Sequence, residues 1–447
     1  MTSVMWFRRD LRAGDNPALR RALDDGPTLP LFVLDPALWG PAGLPRRAYL
    51  VASLRALRAD VPISVVHGDP VRRVVEAAQE VGASSVHVAA DHGPYGARRD
   101  EAVEQALGEV GIALERTGSP YAVAPGRVTS GSGEPYRVYT PFSKAWADHG
   151  WRDPVDPPAD PAWRHLKDAV DLPAPALPDG LEMPAAGESA ALERWHDFLD
   201  HIEAYDDDRD RMGVDGTSRM SPHLKWGEIH PRTMLADLAP LRSEGSRVYR
   251  KELAWREFYA DVLHARPETA REYLRPEYAR MPYVDPGSAD SHYDAWRQGR
   301  TGFPIVDAGM RQLRATGWMH NRLRMIVASF LVKDLHLEWQ HGARHFMQWL
   351  VDGDLASNQH GWQWVAGSGT DASPFFRVFN PTTQGKKFDP PGAYIRRWVS
   401  ELADADRVPD PHEPDPDVRD LVDYPAPVVD HQVERQDALD RWQSIRD

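Results

Sequence analysis

The chain has 447 residues, a formal net charge of −14 at pH 7 and no cysteine. The missing thiols exclude disulfides, iron–sulfur clusters, thiolate zinc sites and cysteine nucleophiles, and no apolar run reaches the roughly 18 residues of a membrane-spanning helix. Its start, MTSVMWFRRDLR, becomes charged too early for a signal peptide, so we expect a cytoplasmic protein of two or three structural units.

Short β-rich runs alternate with amphipathic helical patterns over the first 120 residues or so. The strand-like runs are SVMWF, TLPLFVLD, PISVVHG, SSVHVAA and IALERTG. This alternation predicts a doubly wound α/β domain with about five parallel strands over residues 1–128. No G-x-G-x-x-G follows the first strand, so the usual dinucleotide fingerprint is missing. The domain could hold a ligand or act only as a scaffold.

Residues 129–190 are rich in proline, as in RDPVDPPADPAW and DLPAPALPDGLEMP. Proline at this density cannot continue a helix or a central strand, so an inter-domain linker on the surface is predicted. From residue 191 to 447 the apolar residues recur at helical spacing, as in LERWHDFLDHIEAY and NRLRMIVASFLVKDLHLEWQHGARHFMQWLV. An all-α C-terminal domain is predicted there.

Charge is unevenly distributed between these parts. Residues 241–400 carry a net charge of +5, whereas residues 1–240 carry −10 and residues 401–447 carry −9. Binding to nucleic acid depends on local positive charge. The acidic total therefore leaves a DNA partner open for the basic, tryptophan-rich segment.

Four polar clusters stand out in the helical half: GTSRMS (216–221), ELAWREFY (252–259), GWMHNRLRM (317–325) and DGD (352–354) with Asn358. The hydroxyl-rich turn suits a pyrophosphate at a helix start, although such a turn by itself is more often a helix cap. The second cluster could be an ordinary amphipathic helix with ion pairs. The third cluster, GWMHNRLRM, places several hydrogen-bond donors at the start of an apolar helix. Burying so many donors without partners would be costly. Taken together and in this order, the clusters indicate a binding site.

These segments make the chain resemble the photolyase and cryptochrome flavoproteins, most closely the class I cyclobutane pyrimidine dimer photolyases. The resemblance extends over nearly the whole chain, from WFRRDLRAGDNPAL through YTPFSKAW, GTSRMS, WREFY, TGFPIVDAGMRQLRATGWMHNRLRMIVASFLVKDL and DGDLASNQHGWQWVAGSGTDASPFFRVFNPTTQGKKFDP to DYPAPVVDH. It implies an N-terminal α/β domain that often carries a light-harvesting antenna. It also implies a helical FAD-binding domain, with FAD at the bottom of a cavity that receives a flipped dimer.

The reaction implied is blue-light-driven repair, in which electron transfer from excited, reduced FAD to the dimer splits its ring bonds. A (6-4) photolyase or a cryptochrome-type blue-light photoreceptor is the alternative. The short, acidic, proline-rich tail resembles the ordinary closing segment of the family and favours repair over signalling. UV-damaged DNA, single- or double-stranded, is the implied partner of a monomer with no membrane contact.

The resemblance also implies FAD-binding residues. Those expected around the phosphates and ribityl chain are Tyr205, Thr217, Ser218, Arg219, Met220 and Ser221. Those expected around the isoalloxazine are Arg256, Trp318, Arg324, Asp352 and Asp354, with Arg324 and Asp352 paired. Asn358 corresponds to the residue that faces flavin N5, where an amide can accept from a protonated N5 without titrating. Many cryptochromes carry Asp or Cys there, so Asn358 favours the repair enzyme.

Tryptophans are expected in two roles. Trp362 corresponds to the first member of the electron-transfer chain of the family, which Trp339 and Trp296 would continue toward the surface. Trp364 and Trp255 would line the cavity and offer apolar faces to the flipped pyrimidines. With 16 tryptophans in the chain, core packing is the alternative for any one of them.

The remaining expectations concern substrate, DNA and antenna. Glu252, Asn321 and Met325 match the dimer-binding pattern, and Arg322 and Arg396 are the favoured phosphate contacts. No histidine spacing supports a metal site or a catalytic triad.

The segment AADHGPYGARRD (89–100) favours an 8-hydroxy-deazaflavin antenna over methenyltetrahydrofolate, with Asp91 as a contact. Gly93 occupies a position where deazaflavin binders often have a carboxylate, so another chromophore or an empty pocket stays open.

Overall fold

The computed structural model describes residues 1–157, 159–288, 291–370 and 376–446. A five-stranded parallel sheet lies at the N-terminus and a set of helices makes up the C-terminal part, as predicted. The strands are β1 (Thr2–Phe7), β2 (Thr28–Leu34), β3 (Ser64–His67), β4 (Ala83–Val88) and β5 (Ala113–Arg116). Their order across the sheet is β3-β2-β1-β4-β5.

Helices cover both faces of the sheet, because each central strand alternates its apolar side chains between them. On β1, Met5 and Phe7 pack on one face, whereas Val4 and Trp6 pack on the other. The helices between the strands are α1 (Pro17–Asp25), α2 (Pro36–Trp39), α3 (Leu44–Leu57), α4 (Pro70–Glu80) and α5 (Pro94–Glu109). The strand order reverses between β1 and β4. The loops after their carboxyl ends contact the helical part, where Arg9 pairs with Asp354 and His92 meets His264.

The proline-rich segment is more ordered than a plain linker. It contains α6 (Tyr139–His149), whose Phe142 and Trp146 are buried against the helical part. Further on, Arg164 N donates to Thr28 O at 2.8 Å and Val170 N donates to Val65 O at 2.8 Å, so this stretch runs along the sheet. The expectation that proline excludes a helix from this linker missed α6, whose Pro141 lies in the first turn, where proline is tolerated. The domain boundaries at residues 128 and 190 stay predictions.

Helices make up the rest of the chain, and within the described ranges no strand follows residue 190. They are α7 (Glu188–Leu199), α8 (Tyr205–Asp208), α9 (Ser221–Trp226), α10 (Pro231–Leu238), α11 (Glu244–Ala265), α12 (Tyr293–Gln298), α13 (Pro304–Thr316), α14 (Asn321–Lys333), α15 (Trp339–Trp349), α16 (Leu355–Ala366), α17 (Pro381–Phe388), α18 (Ala393–Trp398), α19 (Pro416–Val422) and α20 (His431–Ser444). Short 3-10 turns lie at Ile202–Ala204, Pro267–Ala270, Pro276–Arg280 and Ser400–Leu402. None of the helices described is long and apolar enough to cross a lipid bilayer.

One long helical pattern divides into two helices. The segment from 321 to 351 forms α14 and α15, and His336 between them has a φ of +52°. The apolar period continues through the break, so the sequence pattern alone did not reveal it. The turn lets α15 fold back beside α16, which brings Gly342 against the indole of Trp362.

The two parts of the chain meet where the end of α9 reaches the loop after β1. Leu11 N donates to Trp226 O at 3.1 Å, and Arg12 Nη1 donates to Gly227 O at 2.9 Å. Gly227 has a φ of +69°, and a Cβ added there would lie 1.9 Å from Arg9 O. The close backbone approach requires glycine at this junction.

We predict that Gly227→Ala destabilises the protein more than Gly82→Ala. Gly82 has a similar φ of +64° but no atom within 4 Å of an added Cβ. Both variants incur the left-handed backbone cost of roughly 1–2 kcal/mol. Only Gly227→Ala adds a clash with backbone, worth about 1–3 kcal/mol more. Thermal unfolding midpoints of both variants measure the difference, and equal losses would contradict the proposed close contact.

Candidate active site

A single cavity collects most of the residues predicted to be functional. Its volume is about 520 Å³, within the range of small-molecule and cofactor sites. Of the predicted residues, those that line it are Tyr205, Ser218, Met220, Ser221, Glu252, Trp255, Arg256, Trp318, Asn321, Arg322, Arg324, Met325, Asp352, Asp354, Asn358, Trp362 and Trp364. They come from α8, α9, α11, α14 and α16 and the connecting turns, so only the folded chain brings them together.

A hydrogen-bonded group of side chains forms around Asp352. Its Oδ2 accepts from Arg324 Nη2 at 2.6 Å and from Ser221 Oγ at 2.6 Å, and Trp318 Nε1 donates to the same Ser221 hydroxyl at 3.2 Å. The predicted Arg324–Asp352 pair is therefore present. Within the described part of the chain, Asp352 Oδ1 is buried without a hydrogen-bond partner. A buried carboxylate oxygen left in this state calls for a donor from a bound group.

Asp354 joins the two parts of the chain at the edge of the same cavity. Its Oδ1 accepts from Ser357 N at 3.1 Å and caps α16, while its Oδ2 pairs with Arg9 Nη2 at 2.5 Å. Burial alone would raise the pKa of this carboxyl. Arg9, followed by Lys225 and Arg256, outweighs burial and holds the pKa of Asp354 well below its usual range. The carboxylate therefore stays charged at pH values low enough to protonate an ordinary aspartate.

The amide of Asn358 is oriented by two hydrogen bonds. Its Nδ2 donates to Ala343 O at 3.1 Å and to Gln359 Oε1 at 2.8 Å. Both amide protons are thereby used, since a primary amide has two. The Asn358 side chain lines the cavity, and its carbonyl oxygen remains to accept a hydrogen bond from a bound group.

Glu252 lies on the cavity wall with a partner that the sequence analysis missed. Arg209 Nη1 lies 2.8 Å from Glu252 Oε1. Burial raises the pKa of Glu252, and the neighbouring Arg209 opposes that shift. A carboxyl group held in this balance can accept or share a proton with a polar ligand.

Aromatic and apolar side chains complete the wall. The indole of Trp255 stacks on Tyr139 from α6, with ring centroids 3.7 Å apart and planes at 5°. One face of Trp255 is therefore covered, which limits its contact with a ligand to the other face and the edge. Trp364 has Arg377 5.9 Å above its ring. Asn321 Nδ2 lies 4.0 Å from Met325 Sδ.

Three of the residues predicted to bind FAD or DNA do not line this cavity. Thr217 and Arg219 line a small neighbouring cavity instead, and Trp318 borders both. Arg219 pairs with Asp215 at 3.0 Å. Arg396 donates to Leu402 O at 3.1 Å and to Val408 O at 2.9 Å, so its guanidinium is used to hold the chain. The FAD contacts of the Thr217 and Arg219 side chains and the phosphate contact of Arg396 find no support in this geometry and stay predictions.

The predicted order of the tryptophans also needs correction. Trp296 and Trp339 are both fully buried, so Trp296 is not the surface member that we expected. Its ring lies 6.2 Å from that of Trp362, so the two are direct neighbours. Trp339 contacts Tyr273, with ring centroids 6.1 Å apart. Trp296 therefore does not carry the chain to the surface, and the step from Trp362 to Trp339 stays a prediction, because helix packing rather than chain order decides which rings meet.

One basic side chain at the cavity gave no sequence signal. Lys225 lines the cavity, where burial, followed by Arg9 and Arg46, lowers the pKa of its ammonium group. Arg256 was predicted, but its guanidinium donates to Pro120 O at 3.0 Å and Leu224 O at 3.1 Å. Lone basic residues in an amphipathic helix look like surface residues until the fold shows what surrounds them.

Asp91, the expected antenna contact, is engaged within its own loop. Its Oδ1 accepts from Gly93 N at 3.1 Å and its Oδ2 pairs with Arg99 at 3.3 Å. Burial opposes ionisation, but Arg9 and Arg99 lower the pKa of Asp91 overall. Gly96 is needed beside it, since an added Cβ would lie 2.1 Å from the carboxylate. A ligand at this loop would have to compete with Arg99.

A histidine–carboxylate group lies away from the cavity. The potential ligand atoms of His336, Glu434 and Asp437 all lie within 4.8 Å of one another. His336 Nε2 pairs with Glu434 at 2.7 Å and with Asp437 at 3.3 Å, and Asp437 also pairs with Arg441 at 2.9 Å. Ion pairs among the protein's own groups account for this cluster.

Known proteins resemble this chain over its full length. The family model "DNA photolyase" matches residues 3–162, and "FAD binding domain of DNA photolyase" matches residues 249–444. A deoxyribodipyrimidine photo-lyase of Halobacterium salinarum is 37% identical, with 99% of each chain covered.

Two solved structures extend the comparison. A class III photolyase from Agrobacterium tumefaciens is 35% identical with a TM-score of 0.91, covering 100% of this chain and 98% of its own. An archaeal photolyase from Sulfolobus tokodaii, determined with two FAD molecules, is 28% identical with a TM-score of 0.82, covering 99% of this chain and 100% of its own. The finer assignment to class I stays a prediction.

We predict that Asp354→Asn lowers stability by about 1–3 kcal/mol, because Asn keeps the helix cap but leaves Arg9 unpaired. The folded-state pKa of Asp354 is depressed, so its contribution is present above the unfolded pKa of about 4 and is lost as pH falls through the folded pKa. The difference between the parent and the variant should therefore be constant from about pH 5 to pH 8.

Asp24→Asn is the matched control, because its partner Arg20 is 50% exposed and Asp24 itself is 52% exposed. Its effect should stay below about 0.5 kcal/mol. Urea unfolding of both variants measures the two losses. A loss for Asp354→Asn that disappears by about pH 5 would contradict the depressed pKa.

Proposed function

The chain belongs to the DNA photolyase family, and on that premise we propose that it is a deoxyribodipyrimidine photo-lyase, which splits cyclobutane pyrimidine dimers in UV-damaged DNA under blue light. This proposal rests on one cavity whose lining has a polar part and a part suited to a pyrimidine dimer. A polar group around Asp352 and Asn358 suits a flavin, and Glu252, Asn321 and Met325 suit a pyrimidine dimer. The two sets come from different helices but face the same space.

FAD fits the polar part of this cavity. The donors and acceptors that remain for it are the free Asp352 Oδ1 and the unpartnered indole N–H of Trp362, together with the carbonyl oxygen of Asn358. Tyr205, Ser218, Met220 and Ser221 line the same space and would hold the rest of the cofactor. When bound and reduced, FAD supplies the electron that blue light makes available to the dimer.

Each residue around the flavin has a distinct task in this proposal. Asn358 would accept a hydrogen bond from the protonated N5, since its two amide protons are already used. Arg324 and Asp352 would stay paired and present one cation and one free carboxylate oxygen to the ring system. Their mutual bond fixes both groups before the cofactor arrives, which reduces the ordering cost of binding.

The dimer would enter from the DNA and lie against the apolar wall. Glu252 and Asn321 would bond to the base edges, and Met325, Trp364 and the uncovered face of Trp255 would pack beside the ring. Arg322 would contact phosphate, although it is paired with Asp210 at 2.7 Å. Binding through such contacts weakens with salt. Both single- and double-stranded damaged DNA are included in the proposal.

The proposal includes a second, light-harvesting chromophore, but its chemical type is left open. The 8-hydroxy-deazaflavin type remains our preference over methenyltetrahydrofolate. Against Asp91 as its contact stands the pairing of that carboxylate with Arg99 at 3.3 Å. The Sulfolobus protein with two FAD molecules keeps a second flavin open as well. Extraction and chromatography of the chromophores from purified protein would decide between these.

The repair reaction can be tested with chemically reduced, FAD-loaded protein and an oligothymidine that contains cyclobutane dimers. We expect the ultraviolet absorbance of the thymine bases to recover under blue light and to stay constant in darkness. The double variant Glu252→Ala, Asn321→Ala removes two polar contacts, each worth about 1–3 kcal/mol, so recovery at low substrate should fall by roughly 10²-fold or more.

Glu244→Ala is the control variant for this assay. Glu244 lies on the same helix as Glu252, is exposed and pairs only with Arg247 in the next turn, so its removal should leave recovery unchanged. No recovery from reduced parent protein would reject dimer repair and leave (6-4) repair or photoreception as the function to test.

The role of Asn358 gives a separate prediction. Asn358→Leu removes the acceptor for N5, which costs the reduced flavin about 1–3 kcal/mol and should speed its oxidation in air by about tenfold or more. Gln359→Glu keeps an acceptor for Asn358 Nδ2 and should change this rate far less. Flavin absorbance followed after reduction measures both rates. Equal rates for parent and Asn358→Leu would contradict the proposed contact.

A further inference from the structure

The turn GTSRMS (216–221) is held by an arginine that the sequence analysis did not single out. Arg194 on α7 donates through Nε to Ser218 O at 2.9 Å and through Nη2 to Thr217 O at 2.7 Å. Its side chain lines neither the main cavity nor the small neighbouring one. One guanidinium therefore binds two consecutive carbonyl oxygens from outside the cavity.

These two hydrogen bonds also fix the direction of the backbone amides. In a trans peptide the C=O and the N–H point in opposite directions. Because Thr217 O and Ser218 O point at Arg194, the N–H groups of Ser218 and Arg219 point away from it. Neither amide donates to another backbone group of the described residues, although Ser218 is only 7% exposed. A buried amide in this state calls for an acceptor.

The backbone of the turn is strained next to these amides. Arg219 has a φ of +53°, in the left-handed region that is unfavourable for residues other than glycine. Met220 after it is right-handed, with a φ of −77° and a ψ of −4°. Such a pair gathers successive amides around one point, as in backbone anion sites. The strained conformation persists only where surrounding contacts hold it.

Contacts from two helices hold this turn. Asp215 Oδ1 lies 3.0 Å from Arg219 Nη2 and 3.4 Å from Arg194 Nη2, so the three side chains leave one net positive charge beside the turn. From α11, the hydroxyl of Tyr249 is hydrogen-bonded to Ser218 Oγ at 2.8 Å. The turn is therefore fixed before a ligand binds.

Helix capping does not account for this arrangement. Met220 is the residue before α9, and no side chain caps that helix. The Ser218 hydroxyl is engaged with Tyr249 instead, and the Ser221 hydroxyl donates to Asp352 at 2.6 Å. The hydroxyl groups of the turn are thus used to position it, and its free amides remain for a ligand.

We propose that Arg194 is a positioning residue for the diphosphate of FAD. It holds the turn so that the amides of Ser218 and Arg219 face the phosphates, without touching the cofactor itself. Ser218 and Met220 line the main cavity, so the turn borders the cofactor space. A turn held in its binding conformation lowers the ordering cost of binding. This inference rests on the proposed function, because it concerns the cofactor site on which repair depends.

Arg194→Met tests this role, because methionine fills similar space but cannot donate to the carbonyl oxygens. Full-length protein is stripped of cofactor and titrated with FAD and, separately, with riboflavin, which has the same ring system but no phosphate. The dissociation constant for FAD should rise about 10- to 100-fold, whereas that for riboflavin should change by less than about twofold. Arg194→Lys keeps the charge and a donor, so it should restore part of the FAD affinity.

Arg211→Met is the matched control. Arg211 lies in the same part of the chain, its side chain is 59% exposed and it pairs with Asp208 at 2.8 Å, so its loss should leave binding of both flavins unchanged. Arg194→Met saturated with FAD should keep the visible circular dichroism of the parent, because the turn does not shape the ring site. If riboflavin binds the parent too weakly to titrate, this spectrum makes the same distinction.

Three results would overturn the role of Arg194. They are unchanged FAD binding in Arg194→Met, an equal loss of FAD and riboflavin binding, and an altered flavin spectrum at saturation, since the last two indicate a general effect on the fold. Parent protein that binds FAD no more tightly than riboflavin would also reject the inference. The repair assay keeps the function separate: parent that prefers FAD but repairs no dimers would reject repair and leave the role of Arg194 intact.

Discussion

The site depends on one carboxylate held between the two parts of the chain. Asp354 caps α16 through Ser357 N and pairs with Arg9 from the loop after β1. Because Asn358 and Trp362 follow at one-turn intervals along α16, fixing the start of this helix fixes both side chains. An exposed ion pair would contribute little. This pair is largely shielded from water and surrounded by further cations, which keep the carboxylate charged.

The aromatic network depends equally on close packing. An added Cβ at Gly342 would lie 2.1 Å from the indole of Trp362, so only glycine allows α15 and α16 to approach this closely. That approach leaves Trp362 at the cavity and Trp339 one turn earlier on α15, beside Tyr273. The cavity wall at Trp362 therefore depends on this helix–helix contact.

Some of the contacts predicted from the motifs are present in the structure, and others are not. The Arg324–Asp352 pair was anticipated because the resemblance gave both residues, and the structure joins them at 2.6 Å. Arg396 and Trp296 were assigned without knowledge of their surroundings. In the structure, backbone carbonyls hold the guanidinium of Arg396 and Trp296 is fully buried. Thr217 and Arg219 lie in the expected loop but face a neighbouring cavity.

The sequence by itself determined the periodicities, and with them the five-stranded sheet, the helical C-terminal part and the order of the motifs. These follow from local spacing, because apolar residues at period two or 3.6 leave few ways to bury them. Only the tertiary structure decided which partners the functional groups have. The pairing of Glu252 with Arg209, the direction of the Asn358 amide and the contact of Trp339 with Tyr273 join residues from separate elements. Distances between such elements depend on how the helices pack, and no local pattern encodes them.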